Sequence, residues 1–445
     1  MFPQAPLFIN DDLDIHTISK RNYQRREWLM SQCDGPIVIM APSLGPNQVY
    51  PWAHCYQPVY QDSFLLYLTG VNQTGIALVL DPKRNEHHIF LPEYSENTVF
   101  WDGDYFAVNH AKSEEFFKQL NIHHCHSMAE LQPFLLERLR LESCCHMMQQ
   151  RYKRSAIKDE AYRLRQSLKR KLKDKITFHD VSELSWKQRL IHDSTTIECF
   201  YTAAQKTANA FANVLSGIPY NSETTLTGHL IGELLKESEF GLGFSPIVAK
   251  NENACILHYT NNSSPIQKND LILMDFGLRW QSICSDVSRT IPAIGKFTDL
   301  QKHLMDIVLE TQLKTIDMVR PGVSFNELNE FAWSTLDHLL ETKFHSRGGT
   351  YKRDYKQQPH NIGHFLGIQV HDGDSNRAYR SQALVENNVI TIEPGLYGFF
   401  ELNGESQSLG IRIEDNLRLT ATGSENLTHD IPKSWENIEN YLNKR

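Results

Sequence analysis

The residues with the clearest chemical potential are two aspartates on a short apolar hairpin, Leu271 to Thr290. An apolar strand ends at Asp275, the chain reverses near Trp280 and Gln281, and a second strand carries Asp286. A two-residue turn there would place Asp275 opposite Asp286, with side-chain bases about 4.5–5.5 Å apart. Two buried carboxylates at that separation need a positive charge between them. The hairpin therefore predicts a divalent-metal site, with further ligands downstream.

Three histidines, His360, His364 and His371, fall within twelve residues of a downstream segment. A spacing of four residues would place His360 and His364 on one face of a helix, as in zinc proteases with an HExxH motif. Gly363 and Gly367 disfavour a helix here. Either histidine could instead be a hydrogen-bonded structural residue, so we expect an irregular segment that supplies one metal ligand.

Two further carboxylates follow apolar runs. Residues 389–392 are apolar and lead to Glu393, and the alternating run Gly-Ile-Arg-Ile that starts at residue 410 leads to Glu414. Alternation in a strand places Arg412 and Glu414 on one face and the isoleucines on the other. A capping or surface role is the ordinary interpretation of any one such carboxylate. Four of them in one domain, together with a histidine cluster, favour a shared site.

The donor set predicted from these residues is one imidazole and four carboxylates: Asp275, Asp286, His364, Glu393 and Glu414. Oxygen-rich ligation with a single nitrogen suits Mn²⁺ above all, with Co²⁺, Zn²⁺ or Fe²⁺ as alternatives. Two such ions about 3.5–4 Å apart, bridged by some of the carboxylates, can lower the pKa of a water between them and stabilise the oxyanion of a tetrahedral intermediate. This chemistry hydrolyses an amide bond.

Five stretches, in this order, resemble the pita-bread metallopeptidases, and within them the aminopeptidase P and prolidase branch. They are His258-Tyr259, the Asp275/Asp286 hairpin, residues 360–372, Thr391-Ile-Glu-Pro-Gly-Leu-Tyr397 and Gly410-Ile-Arg-Ile-Glu-Asp415. The resemblance implies an α/β (α+β) protein. A smaller N-terminal α/β domain would precede a C-terminal catalytic domain with pseudo-two-fold symmetry around a curved antiparallel sheet. The first domain resembles the family through Gln61-Asp-Ser-Phe-Leu-Leu-Tyr-Leu-Thr-Gly70.

The resemblance also implies how the metal ligands divide their work. Asp275 would chelate one ion, while Asp286 and Glu414 would bridge both. His364 and Glu393 would complete the ligand set. Glu393 would in addition act as the general base on the attacking water.

Five further residues gain roles from the resemblance. His258, His360 and His371 would line the substrate pocket and hydrogen-bond the scissile carbonyl or the peptide on the proline side. Arg412 and Tyr397 would orient the metal-binding carboxylates, as groups behind a metal site usually do.

The implied activity is removal of the N-terminal residue from peptides with proline in second position. The close alternative is prolidase, which cuts only Xaa-Pro dipeptides and needs a positive group for the free proline carboxylate. A metal-free creatinase-like hydrolase is disfavoured because all five ligands are present. A non-catalytic peptide-binding module is disfavoured for the same reason. The resemblance implies a homo-oligomer, a dimer or a tetramer, in which Trp101 is either a surface aromatic or a residue that reaches a neighbouring subunit's site.

The pattern of elements predicts two domains, residues 1–175 and 184–445, joined by a linker at 177–184. In the first, helix is predicted around 22–30 and strands at 36–41, 64–69 and 75–80, and the His-rich run 122–126 is interpreted as a polar strand edge or a loop. In the second, helices are predicted at 194–215, 224–237, 299–318 and 326–340. Helices followed by strands occur twice there, which favours an internal two-fold repeat.

Composition and charge exclude several classes of protein. The net charge of −8 argues against a nucleic-acid-binding role. The basic segment 151–175, with eleven Lys/Arg and three acids, is interpreted as a helix with a solvated basic face. The eight cysteines are scattered, which favours reduced thiols and a cytoplasmic location. We expect no signal peptide and no membrane span.

Overall fold

The protein divides into two compact units, residues 1–189 and 190–445. A computed structural model describes residues 15–41, 63–148, 160–173, 175–356, 358–373 and 377–443.

The first unit is built on a mixed six-stranded sheet in the order β4-β3-β2-β1-β5-β6. Strands β1, β2 and β3 pair antiparallel, whereas β3–β4, β1–β5 and β5–β6 are parallel pairs. Its strands are Ile37–Met40 (β1), Ala77–Asp81 (β2), Glu86–Leu91 (β3), His124–Ser127 (β4), Cys144–Met147 (β5) and Thr177–Asp180 (β6). Its helices are Ile15–Ser31 (α1), Ser63–Thr69 (α2), Glu96–Asp102 (α3), Ala111–Gln119 (α4), Leu131–Leu139 (α5), Glu160–Leu172 (α6) and Ser182–Arg189 (α7).

Two predictions for this unit are wrong. The run 64–69 is helix α2 and not a strand, and all seven residues of the helix are buried. A short, wholly apolar segment has no periodicity that separates a buried helix from a buried strand. The predicted linker 177–184 instead contains β6, which extends the sheet beside β5, and the start of α7. The polar four-residue sequence of β6 carries no strand signal of its own.

The other local predictions for this unit agree with the structure. Strands β1 and β2 lie within or beside the predicted runs, and α1 contains the predicted helix. The His-rich run forms β4, at the edge of the sheet. Helix α6 covers part of the basic segment. Residues 151–159 and 174 of that segment lie outside the described residues.

Four long helices of the second unit begin at a side-chain cap. They are Ser194–Ser216 (α8), Glu223–Glu237 (α9), Asp299–Met318 (α10) and Phe325–Leu339 (α11). The cap residues Asp193, Ser222, Thr298 and Ser324 each accept a hydrogen bond from a backbone amide of the first turn. Such a bond satisfies an otherwise unpaired amide and is worth about 1 kcal/mol. The predicted helices at these places are confirmed.

The strands of the second unit pair antiparallel in three three-stranded sheets, β11-β8-β7, β12-β14-β15 and β13-β16-β17, and in the small β9-β10 pair. Their bounds are Ile247–Lys250 (β7), Leu271–Phe276 (β8), Arg279–Trp280 (β9), Ile283–Cys284 (β10), Val287–Pro292 (β11), Thr350–Arg353 (β12), Val389–Ile392 (β13), Gly395–Leu402 (β14), Glu405–Arg412 (β15), Asp415–Leu419 (β16) and Ser424–Asn426 (β17). A last helix, Trp435–Asn443 (α12), follows.

Helix pairs precede the strands twice in this unit, α8–α9 before β7, β8 and β11, and α10–α11 before β12 to β17. The predicted repeat of helices followed by strands is therefore present. Apolar residues of α8 to α11 and of strands β8, β11, β14 and β15 form one buried core. The helices thus cover one face of the strands and leave the other face to carry polar side chains.

Candidate metal centre

The hairpin that carries Asp275 and Asp286 has a register two residues away from the predicted one. Asp275 faces Ser288, and Trp280 faces Ile283. The turn falls after Trp280, and Gln281 takes a left-handed φ of 53°. The prediction that the two aspartates face each other is therefore wrong. They remain on the same face because a slip of two residues preserves the alternation, and they are diagonal neighbours across the strands.

The irregular segment around His364 runs along β13 and places His364 beside Glu393. The amide of Thr391 donates to the His364 carbonyl at 2.9 Å, and the amide of Glu393 donates to the Ile362 carbonyl at 2.9 Å. The His364 amide donates to Thr391 Oγ1 at 3.1 Å. A Cβ at Gly363 would lie 1.9 Å from the Thr391 carbonyl oxygen, so glycine permits this approach. The expectation of a non-helical segment is confirmed.

Glu414 lies between the end of β15 and the start of β16, against strand β11. Its amide donates to the Ser288 carbonyl at 3.1 Å, and Ser288 Oγ donates to Glu414 Oε2 at 2.8 Å. Since Ser288 also faces Asp275 in the register, one serine sits between two of the predicted ligands.

The five predicted ligands converge. One donor atom each from Asp286, His364 and Glu414 lies within 4.8 Å of the other two. His364 Nε2 is 3.3 Å from Asp286 Oδ2 and 3.6 Å from Glu393 Oε1. All five line one cavity of about 130 Å³. That volume is well above the minimum that a single water needs, so the cavity has room for ions and a water. The cavity is also lined by Leu257, His258, His360, Asn361, Gly363, His371, Arg380 and Arg412.

Burial and mutual repulsion make three carboxylates of this cluster poor acids. Burial, reinforced by the charge of Asp275, raises the pKa of Asp286 well above its ordinary value. Burial and the charge of Asp286 do the same to the pKa of Glu414. Burial raises the pKa of Glu393 to about 7, although His364 opposes the shift. Without added positive charge, these groups therefore resist full ionisation at neutral pH.

Two carboxylate oxygens in the cluster have no hydrogen-bond partner. Asp275 Oδ1 and Asp286 Oδ1 are both buried and unpaired. The other oxygen of Asp275, Oδ2, accepts from Arg412 Nη2 at 2.6 Å. An unpaired buried acceptor costs about 1–3 kcal/mol, and more when it is charged. The orphaned oxygens and the oxygen-rich donor set fit divalent metal ions.

Arg412 and Tyr397 lie behind the cluster and hold it. Arg412 reaches Ser288 Oγ through Nε at 2.8 Å and the Tyr397 hydroxyl through Nη1 at 3.1 Å, besides its bond to Asp275. Burial raises the pKa of Tyr397 to about 12, so its hydroxyl keeps its proton. Through its three hydrogen bonds, Arg412 fixes the Asp275 carboxylate in a single orientation.

His360 is held as a neutral ring in one tautomer. Its Nδ1 lies 2.8 Å from the Asn361 carbonyl, which can only accept, so Nδ1 carries the proton. Its Nε2 lies 3.0 Å from the Tyr397 hydroxyl and accepts from it. Burial, followed by the charge of Arg412, lowers the pKa of His360 to about 3. The edge of Trp333 packs against the ring, with centroids 5.4 Å apart.

The other two predicted pocket histidines also line the cavity. The ring of His371 lies 4.1 Å from the ring of His364, centroid to centroid. His258 is exposed and lies near the cavity mouth beside Leu257. Trp101 belongs to the first unit, where it is 73% exposed on α3 with its ring against Phe100.

Four residues with no predicted role also line or support the site: Ser288, Asn416, Thr391 and Arg380. Asn416 holds the backbone of Asp286 from both sides, accepting from its amide at 3.1 Å and donating to its carbonyl. Ser288 could have been found from the correct hairpin register. Arg380 lines the cavity, but no pattern around it in the sequence points there.

Both units match known protein families. Residues 198–421 match metallopeptidase family M24, and residues 23–146 match the aminopeptidase P N-terminal domain.

Relatives of known sequence and structure agree with this match. The chain is 30% identical over 413 residues to the mitochondrial intermediate cleaving peptidase 55 of Arabidopsis thaliana, covering 92% of this chain and 79% of that protein. It is 28% identical over 445 residues to the Xaa-Pro aminopeptidase of Escherichia coli K12, covering 95% and 97%. The structure of proline aminopeptidase P II from Yersinia pestis superimposes with a TM-score of 0.79 at 25% identity, covering 96% of this chain and all of that one.

Proposed function

This chain belongs to metallopeptidase family M24, in its aminopeptidase P branch, and we propose on that premise that it releases the N-terminal residue from peptides with proline in second position. It is a metal-dependent Xaa-Pro aminopeptidase. The observation that carries the proposal is the cavity in which four carboxylates and an imidazole converge and two buried carboxylate oxygens lack a partner.

The proposed ligands of two divalent ions are Asp275, Asp286, His364, Glu393 and Glu414, with Asp286 and Glu414 shared between the ions. This donor set favours Mn²⁺, with Co²⁺, Zn²⁺ or Fe²⁺ as alternatives. When bound, the ions supply an acidified water and positive charge for the oxyanion that develops on the scissile carbonyl. They would also restore the carboxylates of the cluster to their ionised form.

Glu393 is the proposed general base. Its carboxylate takes the proton of the attacking water and returns it to the leaving nitrogen, which must gain a proton when the bond before proline breaks. Its Oε2 lies 3.7 Å from His360 Nδ1, on the side of the cavity that carries the pocket histidines.

The histidines and Arg412 prepare the site for a peptide. His258, His360 and His371 are the proposed partners of the scissile carbonyl and of the peptide on the proline side. Tyr397 and Asn361 now pair both ring nitrogens of His360, so a bond from this ring to the substrate requires one of those two hydrogen bonds to break. Arg412 positions Asp275 and does not itself need to touch the substrate.

The chemistry of proline explains why a separate enzyme is needed. A proline nitrogen has no hydrogen to donate. A peptidase that grips its substrate through that N–H therefore loses a contact. A pocket shaped for the ring and a carbonyl held by fixed donors can replace it.

Prolidase activity is the alternative, and a paired assay separates the two. Purified protein with added Mn²⁺ is offered an Xaa-Pro dipeptide, an Xaa-Pro-Xaa tripeptide and a matched tripeptide with alanine in place of proline. We expect release of the first residue from the Xaa-Pro-Xaa tripeptide. Cleavage of the dipeptide alone would favour prolidase, and equal cleavage of the alanine peptide would contradict the requirement for proline.

We also propose a homo-oligomer, a dimer or a tetramer, in a reducing compartment such as the cytoplasm. The aromatic pair Phe100 and Trp101 on α3 is 79% and 73% exposed, a surface that a second copy could cover. The seven described cysteines are free thiols, which suits a reducing compartment. None of the described helices is long and apolar enough to cross a membrane.

A further inference from the structure

Among the described residues, a second group of metal-binding side chains lies in the first unit: Asp34, Cys144 and His146. Asp34 Oδ1 is 3.0 Å from Cys144 Sγ and 2.9 Å from His146 Nε2. Cys144 Sγ is 3.9 Å from His146 Nε2. We call these three residues the Cys-His-Asp cluster. It does not depend on the proposed peptidase function.

The fold brings these residues together from two segments of the sheet. Cys144 and His146 are two residues apart on β5, so their side chains share one face. Asp34 precedes β1, whose residue Ile37 pairs with His146. A Cβ at Gly35 would lie 2.6 Å from the Cys144 carbonyl oxygen and 2.8 Å from its Sγ, so glycine lets the segment that carries Asp34 lie on the thiol.

The separations of the three donor atoms are close to those of a tetrahedral metal site. Zinc bonds to oxygen, nitrogen and sulfur of about 2.0–2.3 Å place the donors of such a site about 3.3–3.6 Å apart. The three distances in the cluster differ from these values by about 0.5 Å or less. A small adjustment of Asp34 would therefore suffice, and its side chain is 79% exposed.

Hydrogen bonding alone is the competing explanation of the cluster. The bonds from Cys144 and His146 lower the pKa of Asp34 to about 2, and burial raises the pKa of the Cys144 thiol to about 11. In the metal-free protein, the Cys144 thiol therefore stays protonated, and its S–H donates a hydrogen bond to Asp34. Lys83, whose charge also acts on the thiol, forms an ion pair with Glu142. That pairing offsets the repulsion a lysine would exert on a bound cation.

We propose that the Cys-His-Asp cluster binds one Zn²⁺, or another borderline divalent ion, with water in the fourth position. Thiolate, imidazole and carboxylate are the donors that zinc accepts in proteins. Binding replaces the thiol proton of Cys144, so one proton is released for each ion bound. The ring of His179 on β6 stacks on that of His146, with centroids 5.2 Å apart, and limits its rotation. The exposed side, where Asp34 lies, gives the ion a path from solvent.

The donor chemistry of the two sites makes them distinguishable in one molecule. The candidate metal centre offers only oxygen and nitrogen donors, whereas the Cys-His-Asp cluster includes a thiolate. Softer ions prefer thiolate, and hard ions such as Mn²⁺ prefer carboxylate. Mn²⁺ should therefore leave the cluster empty while it loads the candidate metal centre.

The test is a Co²⁺ titration of the metal-depleted full-length chain, followed by absorption spectroscopy. We expect a thiolate-to-cobalt charge-transfer band whose final amplitude corresponds to one thiolate-bound ion per chain, whatever further Co²⁺ enters the candidate metal centre, and which Zn²⁺ abolishes and Mn²⁺ leaves unchanged. In Cys144→Ser the band should be absent. In Asp34→Asn, a change at an exposed side chain that does not threaten folding, the affinity for Co²⁺ should fall by about tenfold or more.

Cys125→Ser is the matched control, because Cys125 is a half-buried free thiol on β4 of the same sheet and lies outside the cluster. It should keep the band. Folding of every variant is checked by its circular dichroism and by its Mn²⁺-dependent peptidase activity, which should remain at the wild-type level. No thiolate band in the wild type at saturating Co²⁺ would overturn the proposal. A band that survives in Cys144→Ser would overturn it as well.

Discussion

Glu393 has the position that a general base needs. Its carboxylate lies in the cavity beside His364 and His360. Glu393→Gln removes the proton acceptor and keeps the size of the side chain. We expect kcat to fall by a factor of about 10²–10⁴ while the protein stays folded and binds metal. Steady-state kinetics and metal analysis of the purified variant measure both effects.

A matched change at another glutamate controls for general damage. Glu401 is exposed on β14 and does not line the cavity, so Glu401→Gln should keep full turnover. Turnover near the wild-type rate in Glu393→Gln would remove Glu393 as the base.

A substitution at Arg412 tests the role of the groups that orient the proposed metal ligands. Its guanidinium bonds Asp275, Ser288 and Tyr397 at once, and a lysine ammonium cannot reproduce that fork. Arg412→Lys should lose about 10- to 100-fold in metal affinity or activity. The metal concentration that gives half-maximal activity is the measurement. Arg418→Lys, at a partly exposed arginine of β16, should leave it unchanged, and an equal loss there would contradict the positioning role of Arg412.

At this scale the five proposed ligands were recognisable as candidates, because three of the carboxylates end apolar runs, Asp286 lies on the return strand of one hairpin and His364 lies among three histidines. Ser288, Thr391 and Asn416 were not, because small polar residues in strands are common. Their importance follows only from the hydrogen bonds that they make in the folded chain.

At the scale of elements, the approach of the His364 segment to β13 depends on Gly363. A methyl group there would collide with the Thr391 carbonyl, so Gly363→Ala should push His364 away from the cluster. We expect a loss of about 1–3 kcal/mol in stability together with a large loss of metal affinity. Thermal unfolding and metal titration test this.

Gly228→Ala is the control for that substitution. Gly228 is exposed in the interior of α9 and a Cβ there meets nothing within 4 Å, so alanine should stabilise by up to about 1 kcal/mol. Unchanged metal affinity in Gly363→Ala would contradict the packing argument.

Helices and strands were predictable where the sequence has both a capping residue and a regular apolar periodicity. They were not predictable where the sequence has neither. The four capped helices of the second unit lie where the sequence places them. Helix α2 and strand β6 do not, since one is a short, mostly apolar run without periodicity and the other is short and polar. The hairpin register was missed by two residues because the left-handed conformation of Gln281 has no signature in the sequence.

For the whole molecule, the raised carboxylate pKa values predict an unusual dependence of stability on pH. Between pH 4.5 and about 7 the folded, metal-free protein holds a proton on Glu393 that the unfolded chain has released. Its stability should therefore fall as pH rises through that window, and the shifts of Asp286 and Glu414 act in the same direction. Bound metal should reverse this loss of stability with rising pH.

The measurement is the Tm of metal-depleted wild type and Glu393→Gln between pH 5 and 7.5. The glutamine amide cannot ionise, so the Tm of Glu393→Gln should rise relative to that of the wild type as pH increases. A constant difference in Tm across this range would contradict the raised pKa of Glu393.

The order of the motifs along the chain was enough to predict the fold class and the family, because five short stretches in fixed order are much more specific than any one. The bounds of the units were harder to predict. The first unit extends through α7 to residue 189, and the strand and helix that close it have little sequence signal.

The most direct test of the account is the metal dependence of cleavage before proline. The full-length chain is stripped by exhaustive chelation and titrated with Mn²⁺ while release of the first residue from an Xaa-Pro-Xaa tripeptide is followed. We predict no activity without metal and full recovery as two ions bind per chain. Undiminished activity after chelation, or a fully loaded protein inert toward every proline-containing peptide, would contradict it.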